Sequence, residues 1–154
     1  MRKALRLLVC VALAWPAVVF GHAGGQTRSV LDGVYTRDQA ARGQKEYGVF
    51  CASCHASDLS GTNSGDSGAP PLRGEKFMTG SDANALFTLI RMNMPRDAPS
   101  GLSDQQYIDV MAYLFQENGF PAGSDELTVN AERLRSIKIV GGRPSPVSPE
   151  QNTK

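Results

Sequence analysis

The pentapeptide Cys51-Ala52-Ser53-Cys54-His55 constrains this chain more than any other feature, because it holds two of the three cysteines and one of the two histidines. Two thiols three positions apart, followed at once by an imidazole, can exchange electrons as a dithiol, ligate a metal or carry a covalently attached group. What surrounds them decides between these uses.

The N-terminus narrows the setting. Arg2, Lys3 and Arg6 precede an apolar run from Leu7 to Phe20, and small residues follow around Gly21-His22-Ala23, which is the order of a secretory signal. Residues 1–23 are therefore expected to be a signal peptide, cleaved after Gly21 or Ala23. The run falls short of the roughly 20 residues that span a bilayer, and Trp15-Pro16 interrupts it, so an exported, periplasmic protein without a membrane span is expected. Cleavage takes Cys10 and three cations, leaving 13 basic against 15 acidic residues. That balance argues against non-specific binding to nucleic acid or anionic lipid. It also leaves no cysteine outside the pentapeptide to build a disulfide framework.

Residues 24–34 are Gly-rich and patternless and read as a linker. Thr36 with Gln39 has the form of a capping box, and Tyr35 can staple onto Ala40, so a first helix starts here. Ala40, Gly43, Tyr47, Phe50 or Cys51, and Cys54 recur along it at helical spacing, which places the cysteines at its end, on or near the inward face. Residues 57–74, rich in Gly, Ser, Asp and Pro, form a long loop. A second helix is expected from Asp82 to Asn93, with Leu86, Leu89 and Ile90 on one face, ending where Pro95 forces Met94 out of helical geometry. A third runs from the capping box of Ser103 and Gln106, with Leu102 stapled to Tyr107, to Asn118-Gly119, and buries Tyr107, Val110, Met111, Leu114 and Phe115. Residues 35–120 thus form one all-α domain of three main helices. Residues 121–140 are an extension that Leu127, Leu134, Ile137, Ile139 and Val140 can pin to it, and residues 141–154 a disordered tail. No repeat and no convincing strand pair is visible.

A thioredoxin-like dithiol needs strands alternating with helices, and the capping signals delimit a helical chain. A structural zinc site needs four protein ligands, more than two cysteines and one or two histidines supply. Covalent haem attachment needs only what is present: each thiol adds to one vinyl group of a porphyrin, and His55 is held under the iron. A large apolar cofactor would also complete the core of a small helical domain. The second axial position then falls to a methionine among Met78, Met92, Met94 and Met111. Met111 lies on the buried stripe, Met92 on the last helical turn and Met78 near the loop. Met94 leaves the helix in a segment stiffened by Pro95 and Pro99, so it is preferred over Met92. Asp58, Asp66, Asp104 and Asp109 read as solvated turn and cap residues.

Gly43 and Tyr47 ahead of "CASCH", then "APPLRG", "NMP" and "LSDQQYIDVMAYL", make residues 43–119 resemble a class I cytochrome c. The resemblance implies a cytochrome c fold around one haem c and its iron. Cys51 and Cys54 would be its covalent anchors, His55 and Met94 its axial ligands, and the Pro70 carbonyl the group that orients the His55 ring. Gly43 would let the first helix cross the third closely, near Tyr113. The continuation "ENGFPAGSDELTVNAERLRSIKIV" is similar to cytochromes that serve periplasmic quinoprotein dehydrogenases.

An iron with both axial positions filled implies an electron carrier rather than an enzyme. It would pass single electrons by outer-sphere transfer from a dehydrogenase, such as a quinoprotein, to a terminal oxidase or another cytochrome. Ala52, Ser53, Ala69 and Met92 could border the exposed haem edge, and Arg73, Lys76, Arg91 and Arg96 could ring it or pair with propionates. Two other classes compete. A haem sensor or peroxidase-like enzyme would keep the sixth position open. A bound subunit of a larger oxidoreductase would use the extension for docking, and a truncation after Pro121 that folded normally but lost its partner would support that.

Overall fold

The computed structural model describes residues 27–62, 68–74 and 77–141. The signal peptide and the tail from residue 142 on, expected from the sequence, lie outside the described residues, as do Asp66 and Lys76. Three long helices dominate: α1 (Arg37–Phe50), α3 (Ala83–Asn93) and α4 (Asp104–Glu117). Two short ones, α2 (Ala52–His55) and α5 (Ala131–Ser136), complete the helical set among the described residues.

Local chemistry sets most helix ends. Asp82 caps α3 by accepting from Ala85 N, and Ser103 and Gln106 form the reciprocal capping box of α4. The box at the start of α1 is only half made. Thr36 Oγ1 accepts from Gln39 N at 3.1 Å, but the Gln39 side chain turns inward. There it exchanges two hydrogen bonds of 2.8 Å with the N–H and carbonyl of Leu127, fully shielded from solvent.

α1 packs chiefly on α4. Residues 107–115 of α4 are buried on every face, the mark of a central helix. The two helices cross where a Cβ on Gly43 would stand 1.8 Å from the Asp109 carbonyl oxygen. The crossing is thus at Asp109, one turn before Tyr113, which instead packs on Tyr47 with ring centroids 5.3 Å apart. Asp109 is not a solvated residue: it is 4% exposed and receives Arg42 through two bonds of 2.8 and 3.2 Å and Gln105 through one of 2.7 Å. Arg42 also reaches Glu126 at 2.9 Å. These partners hold the guanidinium pKa above its ordinary range, Asp109 first.

Gly43→Ala should therefore lose stability at or beyond the upper end of the roughly 1–3 kcal/mol that overpacking costs, since the group it meets is backbone. Urea unfolding of the haem-loaded protein checks this. An unchanged midpoint would mean that the helices separate freely.

The N-terminal boundary differs from the sequence reading. Residues 28–34 are not a linker: Arg28–Ser29 form a strand, β1, and Val30–Asp32 a 3-10 turn capped by Ser29. Val30 and Val34 are buried. β1 pairs in parallel with β2 (Ile137–Lys138), a two-residue ladder too short to leave an alternating pattern. Beside it Gly33, at φ 62°, lies against Gly123, where a Cβ would stand 2.0 Å from the Gly33 carbonyl oxygen. Leu127, Leu134, Ile137 and Ile139 are buried in the same core as α4. On α3, Leu86 and Phe87 are buried, but Leu89 is 47% exposed and so does not share their face.

Candidate haem-attachment site

α1 stops at Cys51, whose φ of −124° leaves the helix while its N–H still bonds to the Tyr47 carbonyl at 2.9 Å. The chain then turns once more. Cys54 N and His55 N both donate to the Cys51 carbonyl, at 3.1 and 2.9 Å. Both thiols and the imidazole therefore stand on one helical turn. Cys51 is half-buried, Cys54 exposed and His55 only 6% exposed; neither cysteine is in a disulfide. Burial first, and then the neighbouring Cys54, push the Cys51 thiol up to about 11.

His55 Nδ1 lies 2.9 Å from the Pro70 carbonyl oxygen. A carbonyl can only accept, so Nδ1 carries a proton, and Nε2 is the nitrogen left to ligate a metal. Several contacts hold Pro70 there. Leu72 N donates to Leu59 O at 2.9 Å and Thr62 N to Ala69 O at 3.0 Å, folding residues 68–72 back along residues 59–62. Gly61, at φ 75°, allows this approach, because a Cβ there would stand 2.4 Å from the Ala69 carbonyl oxygen. From the C-cap of α4, the buried Asn118 donates to Leu72 O at 3.0 Å and accepts from Gly74 N at 3.0 Å. The sequence marks Asn118 only as a helix end; besides Leu114 O on its own helix, its partners lie more than forty residues away in the chain.

On the other flank, Ala56 has φ 61° and ψ 155°, a region that costs a residue with a Cβ on the order of 1–3 kcal/mol. The Tyr47 hydroxyl, donating to Ala56 O at 2.7 Å, and Leu59 N, donating to the same oxygen at 3.2 Å, hold it there. Burial raises the Tyr47 pKa well above its ordinary value, so the phenol stays protonated as a donor.

Met94 follows α3. Its φ of −128° and ψ of 147° are the extended geometry that a residue before proline adopts, and the Met94–Pro95 peptide is cis. The Met94 N–H donates to Ile90 O at 2.8 Å, and its carbonyl accepts from the Tyr107 hydroxyl at 2.7 Å. Met111 is wholly buried in the core. Met78 is half-buried. Met92 is 62% exposed, so core packing does not account for it. Of the basic residues considered for the haem rim, Arg91 pairs with Asp104 at 2.6 Å and Arg73 with Asp58 at 3.4 Å, while Arg96 is exposed.

The donor set suits a covalently attached haem. It offers two free thiols on one turn, an imidazole whose Nδ1 is taken up by Pro70 so that Nε2 is left for a metal, and a thioether on a tethered loop. Among the described residues no three of His, Cys, Asp and Glu come together as a metal-binding group, and no helix is long and apolar enough to cross a membrane. A protein-family model described as cytochrome C oxidase, cbb3-type, subunit III matches residues 38–114, half of the chain, and the match takes in all the residues of this site from α1 to Met94. No curated protein and no solved structure matches.

Proposed function

Since the chain belongs to the family described as cytochrome C oxidase, cbb3-type, subunit III, and so carries a class I c-type cytochrome domain, we propose that it is a periplasmic mono-haem carrier of single electrons. It works by outer-sphere transfer between a dehydrogenase, of the quinoprotein kind or similar, and a terminal oxidase or another cytochrome.

The observation that carries this reading is the hydrogen bond of 2.9 Å from His55 to Pro70, one residue beyond two free thiols. Bound haem supplies an iron that gains or loses one electron. The chain's own residues anchor and tune it. Cys51 and Cys54 would hold the haem through thioethers, each S–H adding across one vinyl double bond to give one C–S and one C–H bond with no change in electron count. The Pro70 carbonyl keeps the proton on Nδ1, which makes Nε2 a better donor and fixes the ring plane. The Met94 thioether would be the second axial donor, which would favour the ferrous state and raise the potential.

Among the described residues, the side chains first read as candidate acids or bases beside the site are already engaged. His55 is engaged by Pro70, and Asp58, Asp104 and Asp109 are engaged by Arg73, Arg91 and Arg42. The quinoprotein donor rests on the resemblance of residues 117–140 to cytochromes that serve such enzymes. Docking would use the small, briefly formed interface of redox partners. The family description favours a second reading, a bound subunit of an oxidase, which copurification of the exported protein with membranes would support.

Met94→Ala tests the ligand assignment. In haem-loaded protein it should abolish the long-wavelength sulfur-to-iron band of the ferric state and lower the reduction potential, whereas Met92→Ala should change neither. Loss of the band in Met92→Ala alone would reverse the assignment.

A further inference from the structure

We propose that Tyr107 is the positioning residue that keeps the Met94 sulfur in its ligand place, an inference that rests on the reading of Met94 as the sixth ligand. The Tyr107 hydroxyl donates to the Met94 carbonyl at 2.7 Å and accepts from Leu102 N at 3.4 Å. One side chain therefore closes the loop of residues 94–102 at both ends.

The side chain that does this is itself buried. Tyr107 is 3% exposed and sits in the first turn of α4, directly after the Ser103–Gln106 capping box. The loop has other ties, but among the described residues none from the core side: Met94 N donates to Ile90 O at 2.8 Å, Ala98 N to Pro95 O at 3.0 Å and Gly101 N to Ala98 O at 2.9 Å, all within the segment from α3 to the loop itself. Ser100 N and Oγ both reach the Arg91 carbonyl, at 3.0 and 3.2 Å, at a point exposed to water. Arg91 and Asp104 pair at 2.6 Å, but their side chains are 42% and 48% exposed, and such surface pairs contribute little. Methionine has three flexible side-chain torsions, so the position of its sulfur is only as well defined as the backbone that carries it. Tyr107 fixes that backbone from the core side.

Tyr107→Phe keeps the ring and its packing and removes only the hydroxyl. Loss of one part-buried hydrogen bond should let imidazole displace the sulfur from ferric iron about tenfold more readily. The folding equilibrium should fall by no more than about the same factor of ten, so the protein still folds. Tyr113→Phe, on the same helix but remote from Met94 in its contacts, should bind imidazole as the parent does. The role is overturned if Tyr107→Phe binds imidazole with the parent's affinity, or if Tyr113→Phe tightens binding equally. Met94→Ala separates this from failure of the ligand reading. It should bind imidazole more tightly than either tyrosine variant, and if it binds no more tightly than the parent, Met94 is not the displaced ligand and the role of Tyr107 falls with it.

Discussion

Replacing Cys51 and Cys54 together with serine should leave no haem that survives acid and organic extraction. A serine hydroxyl does not add to a vinyl group under the conditions in which a thiol does, so both covalent anchors go at once, while the serine side chain has nearly the same size. His55 remains on its turn, because its N–H bonds to the Cys51 backbone carbonyl rather than to a sulfur. Any loss is therefore attributable to attachment rather than to local unfolding. The single variants should each retain one thioether and keep haem through a denaturing gel. Persistent covalent haem in the double variant, or haem extractable from the parent, would contradict attachment at these two positions. The double variant should also be less stable, since a group bound only by the folded state stabilises it.

Truncation after Pro121 should destroy the fold rather than trim a docking arm. It removes Leu127, Leu134, Ile137 and Ile139, all buried, each worth roughly 1.5–3 kcal/mol of burial. Their sum is comparable with the whole stability of a typical domain, about 5–15 kcal/mol. It also strands polar groups: the Gln39 amide loses both Leu127 partners, and the Tyr35 carbonyl loses Gly123 N at 2.7 Å. Val30 and Val34 lose part of their cover when β1 loses β2. The expected result is failure to accumulate in the exporting host, or a circular dichroism spectrum without cooperative unfolding. A stable, helical, haem-loaded product would show that the segment is dispensable. Loss of partner binding by such a truncation would not by itself locate a docking surface.

The parts of the fold that were legible in the sequence are those whose causes are local. Ser103 with Gln106, Asp82, Pro95 and Asn118-Gly119 delimit α3 and α4 because each acts within four residues of itself. The parts that were not legible depend on partners far along the chain. Gln39 looks like half of a capping box until Leu127, 88 residues later, offers its backbone. Val30 and Val34 lie in a turn of no regular period, so their burial leaves no helical or strand signature, and residues 28–34 read as a linker. Asp109 looks like a helix-surface acid until Arg42 crosses to it from α1. At the site, the pentapeptide and the residue before Pro95 stand out by type and spacing, whereas Tyr47, Tyr107 and Asn118 look like core or cap residues. Their hydroxyl and amide groups acquire a role only when the fold brings Ala56, Met94 and Leu72 to them.

The visible spectrum of the reduced, haem-loaded protein, recorded before and after carbon monoxide, tests the electron-carrier reading most directly. If His55 and Met94 close both axial positions, the spectrum should not change. A large shift on adding carbon monoxide would show an open iron, and would contradict the carrier in favour of a haem sensor or a peroxidase-like enzyme.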